Sequence, residues 1–217
     1  MRTLAVATTV LLLMGAGALA GWSALASQTS ADGAEVFLRR GAGADAVFTY
    51  MPDPCIEVDT WVSAANGAVQ NPPGPPVARE GMAVGIDVWD VCTGAWLDSF
   101  WGVTWAADVQ ITERAGSADG VVTVCNQWLD CFDLDVSVDW NVVGGVSVSR
   151  WRDRDSVCNW RDHSASREAT ATGTLMLLPP DDPESPGNYI SEAVNLIPDP
   201  AVYASLYKWQ TGAVCKA

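Results

Sequence analysis

The amino-acid sequence predicts an all-β protein: a single antiparallel β-sandwich, with a barrel as the alternative and a short helix near the C-terminus. Three observations lead to this class. Apolar and polar residues alternate with a period of two in several segments, helical periodicity is scarce, and proline-rich loops interrupt the alternation. Because no composition shift separates two cores, we expect one domain.

Five segments carry the strand pattern, and the last of them is the clearest. From Phe132 to Val142, apolar residues hold the even positions and polar residues hold all the odd ones, so the two sets face opposite sides of a strand. The five segments are residues 55–62, 82–91, 103–113, 121–124 and 132–142.

Prolines mark the loops. Residues 71–76 and 179–187 are rich in proline, which lacks the N–H that a β-ladder needs. The Pro-Asp-Pro at 198–200 precedes a segment, residues 201–209, that we predict to be the helix.

Gly144 and Gly145 predict a tight two-residue hairpin, because glycine tolerates the positive φ angles of such turns. Opposite charges would then face each other across the strand pair and stabilise it by roughly 0.2–1 kcal/mol each. The predicted partners are Asp139 with Arg150, Ser137 with Arg152, and Asp135 with Arg154.

The N-terminus has the layout of a secretory signal peptide over residues 1–26. A short basic start is followed by an apolar run, Leu4 to Met14, and then by small residues that fit A-x-A cleavage as far as Ala26. The run is short for a membrane span. We therefore expect a secreted, extracellular protein whose single domain covers residues 27–217, with no membrane span.

All six cysteines follow this segment, and an even number in an exported chain predicts three disulfides. They are Cys55, Cys92, Cys125, Cys131, Cys158 and Cys215. The hairpin register sets Cys131 opposite Cys158, whereas a local Cys125–Cys131 bridge is the alternative.

Charge and motifs exclude several functions. A net charge of −14, from 12 Lys+Arg against 26 Asp+Glu, argues against nucleic-acid binding and favours solubility. His163 is the only histidine, and we expect it in a solvated loop. No catalytic, metal-binding or phosphate-binding motif occurs, so we predict no catalytic residue, metal or cofactor, although the many carboxylates leave a glycosidase pair open.

The tryptophans are the remaining signal, since the chain has 11 of them. Trp105, Trp140 and Trp151 share their strand faces with aliphatic residues and are predicted core. Four others fall on polar faces or in a loop and are candidate ligand-binding residues: Trp61, Trp89, Trp128 and Trp160. Exposed indoles stack on sugar rings or form protein contacts, whereas loops or a second sheet would bury them.

These features predict a non-catalytic binding or structural module outside the cytoplasm, with an extracellular glycan or protein as partner. The first alternative is a carbohydrate-binding protein that uses the four candidate tryptophans. The second is a hydrolase that depends on Asp or Glu.

Several segments together resemble an uncharacterised group of secreted bacterial β-sheet proteins. The segments are Cys55-Ile56-Glu57, Asp90-Val91-Cys92-Thr93-Gly94, the strand Phe132 to Trp140, Arg167 to Gly173, and Ile197 to Ala204 with Gly212. The resemblance covers most of the chain after the signal peptide. It implies a β-sheet architecture and carries no activity.

Overall fold

The computed structural model describes residues 34–70, 77–154, 158–178 and 201–216. The predicted signal peptide and both proline-rich loops lie outside these ranges.

The described residues form nine strands and no helix. The strands are β1 (Ala34–Asp53), β2 (Ile56–Gln70), β3 (Val77–Asp90), β4 (Ala95–Thr104), β5 (Asp108–Ile111), β6 (Ala115–Cys125), β7 (Cys131–Arg154), β8 (Cys158–Leu177) and β9 (Tyr203–Lys216). In the part of the chain that is described, no helix is long and apolar enough to cross a membrane.

All nine strands belong to one antiparallel sheet with the order β4-β3-β2-β1-β9-β8-β7-β6-β5. Strand β9 lies between β1 and β8, so the two ends of the described chain pair with each other. The sheet also curls until β4 meets β6, where Trp101 pairs with Cys125. The predicted all-β class is confirmed, and the curled sheet encloses one core.

The core consists of side chains at alternate positions of the strands. On β1 these are small residues, Ala42, Ala44 and Ala46, and on β7 they run from Leu134 to Trp140. Trp140 is fully buried, as predicted, and its indole Nε1 donates a hydrogen bond to the backbone oxygen of Asp45 at 3.1 Å. This bond satisfies the only polar atom of the indole inside the core.

Closure of the sheet depends on a glycine in β4. Gly102 lies so near β6 that a Cβ atom there would overlap the backbone oxygen of Thr123, and it would also lie 3.1 Å from Cα of Val124. A side chain at this position would force β4 and β6 apart, because the obstructing atoms belong to the backbone and cannot rotate away.

The predicted strand over 103–113 is split in two. Strand β4 ends at Thr104, whose side-chain oxygen accepts a hydrogen bond from the backbone N–H of Ala106 at 3.3 Å. The chain then changes partner, since β4 pairs with β3 whereas β5 pairs with β6.

The predicted helix over 201–209 is wrong, because Tyr203–Lys216 forms strand β9. Ala204 and Leu206 point into the core from this strand. A short isolated helix is marginal in water, whereas here the backbone hydrogen-bonds to β1 on one side and to β8 on the other.

The predicted hairpin at Gly144 and Gly145 is also wrong. Strand β7 continues through both glycines to Arg154, and the register against β8 shifts between Val142 and Val146. The glycines therefore accommodate a bulge within a long strand. The predicted Asp–Arg ladder does not form: Asp139 pairs with Thr172, Asp135 with Met176, Arg150 with His163, Arg152 with Arg161 and Arg154 with Asn159.

Two disulfides hold neighbouring turns at one end of the sheet. Cys55–Cys92 joins the β1–β2 turn to the β3–β4 turn, and Cys125–Cys131 closes the β6–β7 turn. The predicted local bridge, Cys125–Cys131, is therefore confirmed, and the predicted Cys131–Cys158 pairing is wrong. Disulfides of this kind indicate an oxidising compartment.

Non-reducing peptide mapping tests the cysteine connectivity. We expect one peptide pair with Cys55–Cys92 and one peptide with Cys125–Cys131. The backbone register sets Cys158 opposite Cys215, so we expect the remaining two cysteines to be linked to each other. A Cys131–Cys158 peptide would contradict the register.

Substitution of Gly102 by alanine tests the closure of the sheet. We expect G102A to lower the free energy of unfolding by about 1–3 kcal/mol, because the methyl group must displace backbone. The matched control is G145A: no atom lies within 4 Å of a Cβ there, so alanine should leave stability unchanged or raise it by about 0.4–1 kcal/mol. Urea denaturation measures the free energy of unfolding of both variants. Equal changes in G102A and G145A would contradict the role of Gly102 in closing the sheet.

Candidate functional site

The strongest candidate site lies on the face of β2, β3 and β4 that points away from the core. Val58 and Val62 of β2 point into the core, so Asp59, Trp61 and Ser63 lie on the opposite face. Direct cross-strand partners share a face, and the register therefore extends this surface across β3 to β4.

Small residues of β3 form the floor of this surface. Trp61 pairs with Gly85, and Gly85 pairs with Trp101, so two indoles flank one glycine in a single row across the sheet. A Cβ at Gly85 would overlap the ring of Trp61, which shows that the indole lies directly against the glycine backbone. Ala83 continues the floor and is buried.

A second glycine supports a second indole. A Cβ at Gly81 would lie 2.7 Å from Cε3 of Trp105 and 2.8 Å from the backbone oxygen of Thr104. Trp105 still keeps 52% of its surface exposed, and Trp101 keeps 64%. Two rings rest on glycine, and the face carries large exposed apolar area.

A third pair of indoles extends the surface toward the disulfide end. Trp89 of β3 is half-buried and pairs directly with Trp96 of β4, which is 45% exposed. We call this surface the tryptophan face, defined by Trp61, Trp89, Trp96, Trp101 and Trp105.

Carboxylates stand among these rings. Asp59 and Asp87 are direct cross-strand partners one row from Trp61, and Asp59 accepts a hydrogen bond from Thr49 Oγ1 at 2.7 Å. Burial and then the charge of Asp87 raise the pKa of Asp59, against the lowering effect of the Thr49 hydrogen bond. Burial and the charge of Asp59 also raise the pKa of Glu57, which pairs with Trp89.

The tryptophan face combines planar apolar rings with strong hydrogen-bond acceptors. An indole covers the apolar side of a flat ligand, and a carboxylate accepts hydrogen bonds from hydroxyl groups at its edge. Among the described residues, no group of three or more His, Cys, Asp or Glu side chains could hold a metal ion.

The four candidate tryptophans do not form one cluster. Trp61 and Trp89 belong to the tryptophan face, whereas Trp128 lies in the β6–β7 turn with 62% of its surface exposed. Trp160 lies in β8, where its backbone pairs with Asp153 of β7 and Ala213 of β9.

The turn that carries Trp128 is organised by one buried amide. The side-chain oxygen of Asn126 accepts hydrogen bonds from the backbone N–H groups of Trp128 and Asp130, both at 3.0 Å. The side-chain nitrogen of Asn126 donates to Asp98 at 3.3 Å and to Asp130 at 3.2 Å. This network and the Cys125–Cys131 bridge hold Trp128 in an exposed position.

The prediction that Trp105 and Trp151 are core residues is wrong, since Trp151 is 53% exposed and Trp105 nearly as much. Parity shows only which residues share a face. Trp105 shares its face with Val103, which is itself 44% exposed. Trp151 lies in the part of strand β7 that extends beyond the core. Sequence reasoning also passed over Trp96 and Trp101, because only the register shows that they flank β3.

Replacing Asp59 by asparagine tests the electrostatics of the face. The folded-state pKa of Asp59 lies above its ordinary value of 3.8, so its charge destabilises the fold at neutral pH and this penalty vanishes in acid, below 3.8. We expect D59N to be more stable than the native chain at pH 7, by less than about 1 kcal/mol because the group is partly exposed, and equal to it at pH 3.

The control for this measurement is D139N, on the exposed side of β7 between Ser117 and Thr172. Urea denaturation at both pH values compares the variants. A D59N effect that is the same at pH 3 and pH 7 would contradict the assignment.

No protein-family model, curated protein or solved structure matches this chain. The geometry of its surfaces is therefore the basis for assigning a function.

Proposed function

We propose that this protein is an exported, non-catalytic carbohydrate-binding module that holds a neutral polysaccharide against the tryptophan face. One observation carries the proposal: Trp61 lies on Gly85 and Trp105 lies on Gly81, beside the exposed ring of Trp101.

A sugar ring suits this surface better than a wholly apolar ligand does. A pyranose has an apolar side formed by C–H groups and an edge formed by hydroxyls. The indoles match the first, and the carboxylates of Asp59, Asp87 and Glu57 match the second. Because these carboxylates would repel an anionic sugar, the expected ligand of this face is neutral.

The dimensions favour a chain of sugars. Trp101 and Trp105 lie four residues apart, about 13 Å along an extended strand. Trp61 and Trp101 lie two strands apart, about 10 Å across the sheet. Three rings over this distance would contact several sugar units.

Little ordering would accompany binding. Trp61 is already held against β3 by its contact with Gly85, and Trp105 is held by its contact with Gly81. Rings fixed before binding lose less conformational entropy, which raises affinity for a given contact area. The glycines therefore contribute to recognition without touching the ligand.

The predicted signal peptide and the two disulfides support a location outside the cytoplasm. Glycans are abundant there, and a stapled sheet resists the loss of structure in that environment.

Hydrolysis is the second candidate, and the pairing of Asp59 with Asp87 favours it. Directly opposite residues in a sheet have Cβ atoms about 4.5–5.5 Å apart, which is near the separation of the two carboxyls in retaining glycosidases. Release of reducing ends from a bound polysaccharide, lost in D87N, would replace the non-catalytic proposal with this one.

Substitution of Trp101 tests the proposal. In affinity electrophoresis with a panel of soluble neutral glucans, xylans and mannans, we expect at least one polysaccharide to retard the protein. W101A should weaken that binding at least about tenfold, or ~1.4 kcal/mol, because it removes the most exposed ring of the face.

The matched control is W151A, which removes an indole of similar exposure from strand β7. It should bind as the native chain does. Equal loss in both variants, or no retardation by any member of the panel, would overturn the proposal.

A further inference from the structure

The basic residues of this acidic protein are gathered at one end of the sheet. Arg2 lies in the predicted signal peptide, and the other eleven of the 12 Lys+Arg lie in described segments. They are Arg39, Arg40, Arg79, Arg114, Arg150, Arg152, Arg154, Arg161, Arg167, Lys208 and Lys216. All of them lie at the end that holds the β5–β6 turn and the far ends of β7 and β8.

The opposite end, which carries both disulfides, is acidic. Its acidic residues are Asp53, Glu57, Asp59, Asp87, Asp90, Asp98, Asp130 and Asp133, whereas six described carboxylates lie among the cations of the basic end: Glu35, Glu80, Glu113, Asp153, Asp162 and Glu168. The net charge of −14 therefore conceals a separation of charge along the strands. At the basic end the eleven described cations outnumber the six described carboxylates, which favours anionic ligands there over the rest of the surface.

The register concentrates the cations on one face. Arg150 pairs with His163, His163 with Gln210, and Gln210 with Arg40, so one row crosses β7, β8, β9 and β1. All four side chains are exposed. The row spans three strand spacings, about 14 Å, and we call it the basic row.

A second row lies about 7 Å further along the strands, where Arg152 pairs directly with Arg161. Both are exposed, and like charges directly opposite each other destabilise a sheet. Neither these two arginines nor Arg40 and Arg150 form an ion pair with an acidic residue of the described segments. An anionic group bound between the two arginines would attract both of them and offset their mutual repulsion.

A cleft of about 600 Å³ adjoins the basic row. Its polar and aromatic lining consists of Arg40, Asn66, Glu113, His163, Lys208, Trp209 and Gln210. Lys208 Nζ is bound to Glu113 Oε1 at 2.8 Å, and this contact lowers the pKa of Glu113. Amides and an imidazole therefore stand beside the arginines, so the cleft offers hydrogen-bonding groups in addition to charge.

We propose that the basic row, the adjacent Arg152–Arg161 pair and the cleft bind a carboxylate-bearing polysaccharide, such as a polymer of uronic acids. The arginines would engage carboxylates, and Asn66 and Gln210 would bind hydroxyls. An acidic polypeptide fits less well. Strands β7, β8, β9 and β1 have a partner on both sides, so no free edge can add a peptide strand.

The basic row lies on different strands from the tryptophan face, and Asn66 of the cleft lies on the opposite face of β2 from Trp61, so this proposal stands without that one. Affinity electrophoresis with polygalacturonate tests it. We expect retardation of the native protein, weakening with added salt, and no retardation by the fully methyl-esterified polymer. W101A should bind polygalacturonate like the native protein, which separates this site from the tryptophan face.

The deciding variant is R161Q. We expect at least about fivefold weaker binding of polygalacturonate, with unfolding stability equal to or above that of the native chain because a like-charge contact is removed. R114Q removes the same charge from the β5–β6 turn and should bind normally. Absent binding, equal binding of the methyl ester, of poly-L-glutamate or of single-stranded DNA, or equal loss in R114Q would overturn the proposal.

Discussion

The close approach of β4 and β6 at Gly102 is the constraint on which the rest of the structure depends. With no side chain at that position, the backbones come together and the sheet curls around the residues at alternate strand positions. Trp140 can then be fully buried, with its indole bonded to the backbone of Asp45. One face of every strand contributes to this core. The tryptophan face lies on the opposite face, whereas the basic row continues the core-side face of β1 and β9 beyond the core.

Glycine has a second use on the outward face. Trp61 lies on Gly85 and Trp105 on Gly81, and Tyr207 and Trp209 cover Gly43 and Gly41 in the same manner. A glycine in a strand weakens it through backbone entropy, and an aromatic ring packed over it restores buried apolar area. The same device therefore supports two regions of the sheet. It supports the indoles of the tryptophan face and also Tyr207 and Trp209 on the outward face of β9.

The two proposed surfaces differ in charge, and this difference predicts different ligands for them. Carboxylates surround the indoles of the tryptophan face, where Asp59 and Asp87 accept hydrogen bonds and repel anions. Within the described segments the arginines of the basic row form no ion pair, and neutral sugars would leave their charges without partners. A protein with both surfaces could bridge a neutral and an acidic polysaccharide, and each surface could be lost without the other.

The sequence alone determined the all-β class, the face of β7 that enters the core and the burial of Trp140, because strand periodicity is a local property. It also included Cys125–Cys131 among two alternatives. It did not determine which strands pair. The glycines at 144 and 145 are compatible with a turn or with a bulge, and residues 201–209 became a strand because β1 and β8 offered free edges. The surroundings of Trp101, Trp105 and the basic row likewise depend on strand register. The parity of a residue indicates which other residues share its face, but only the tertiary structure shows what that face contacts.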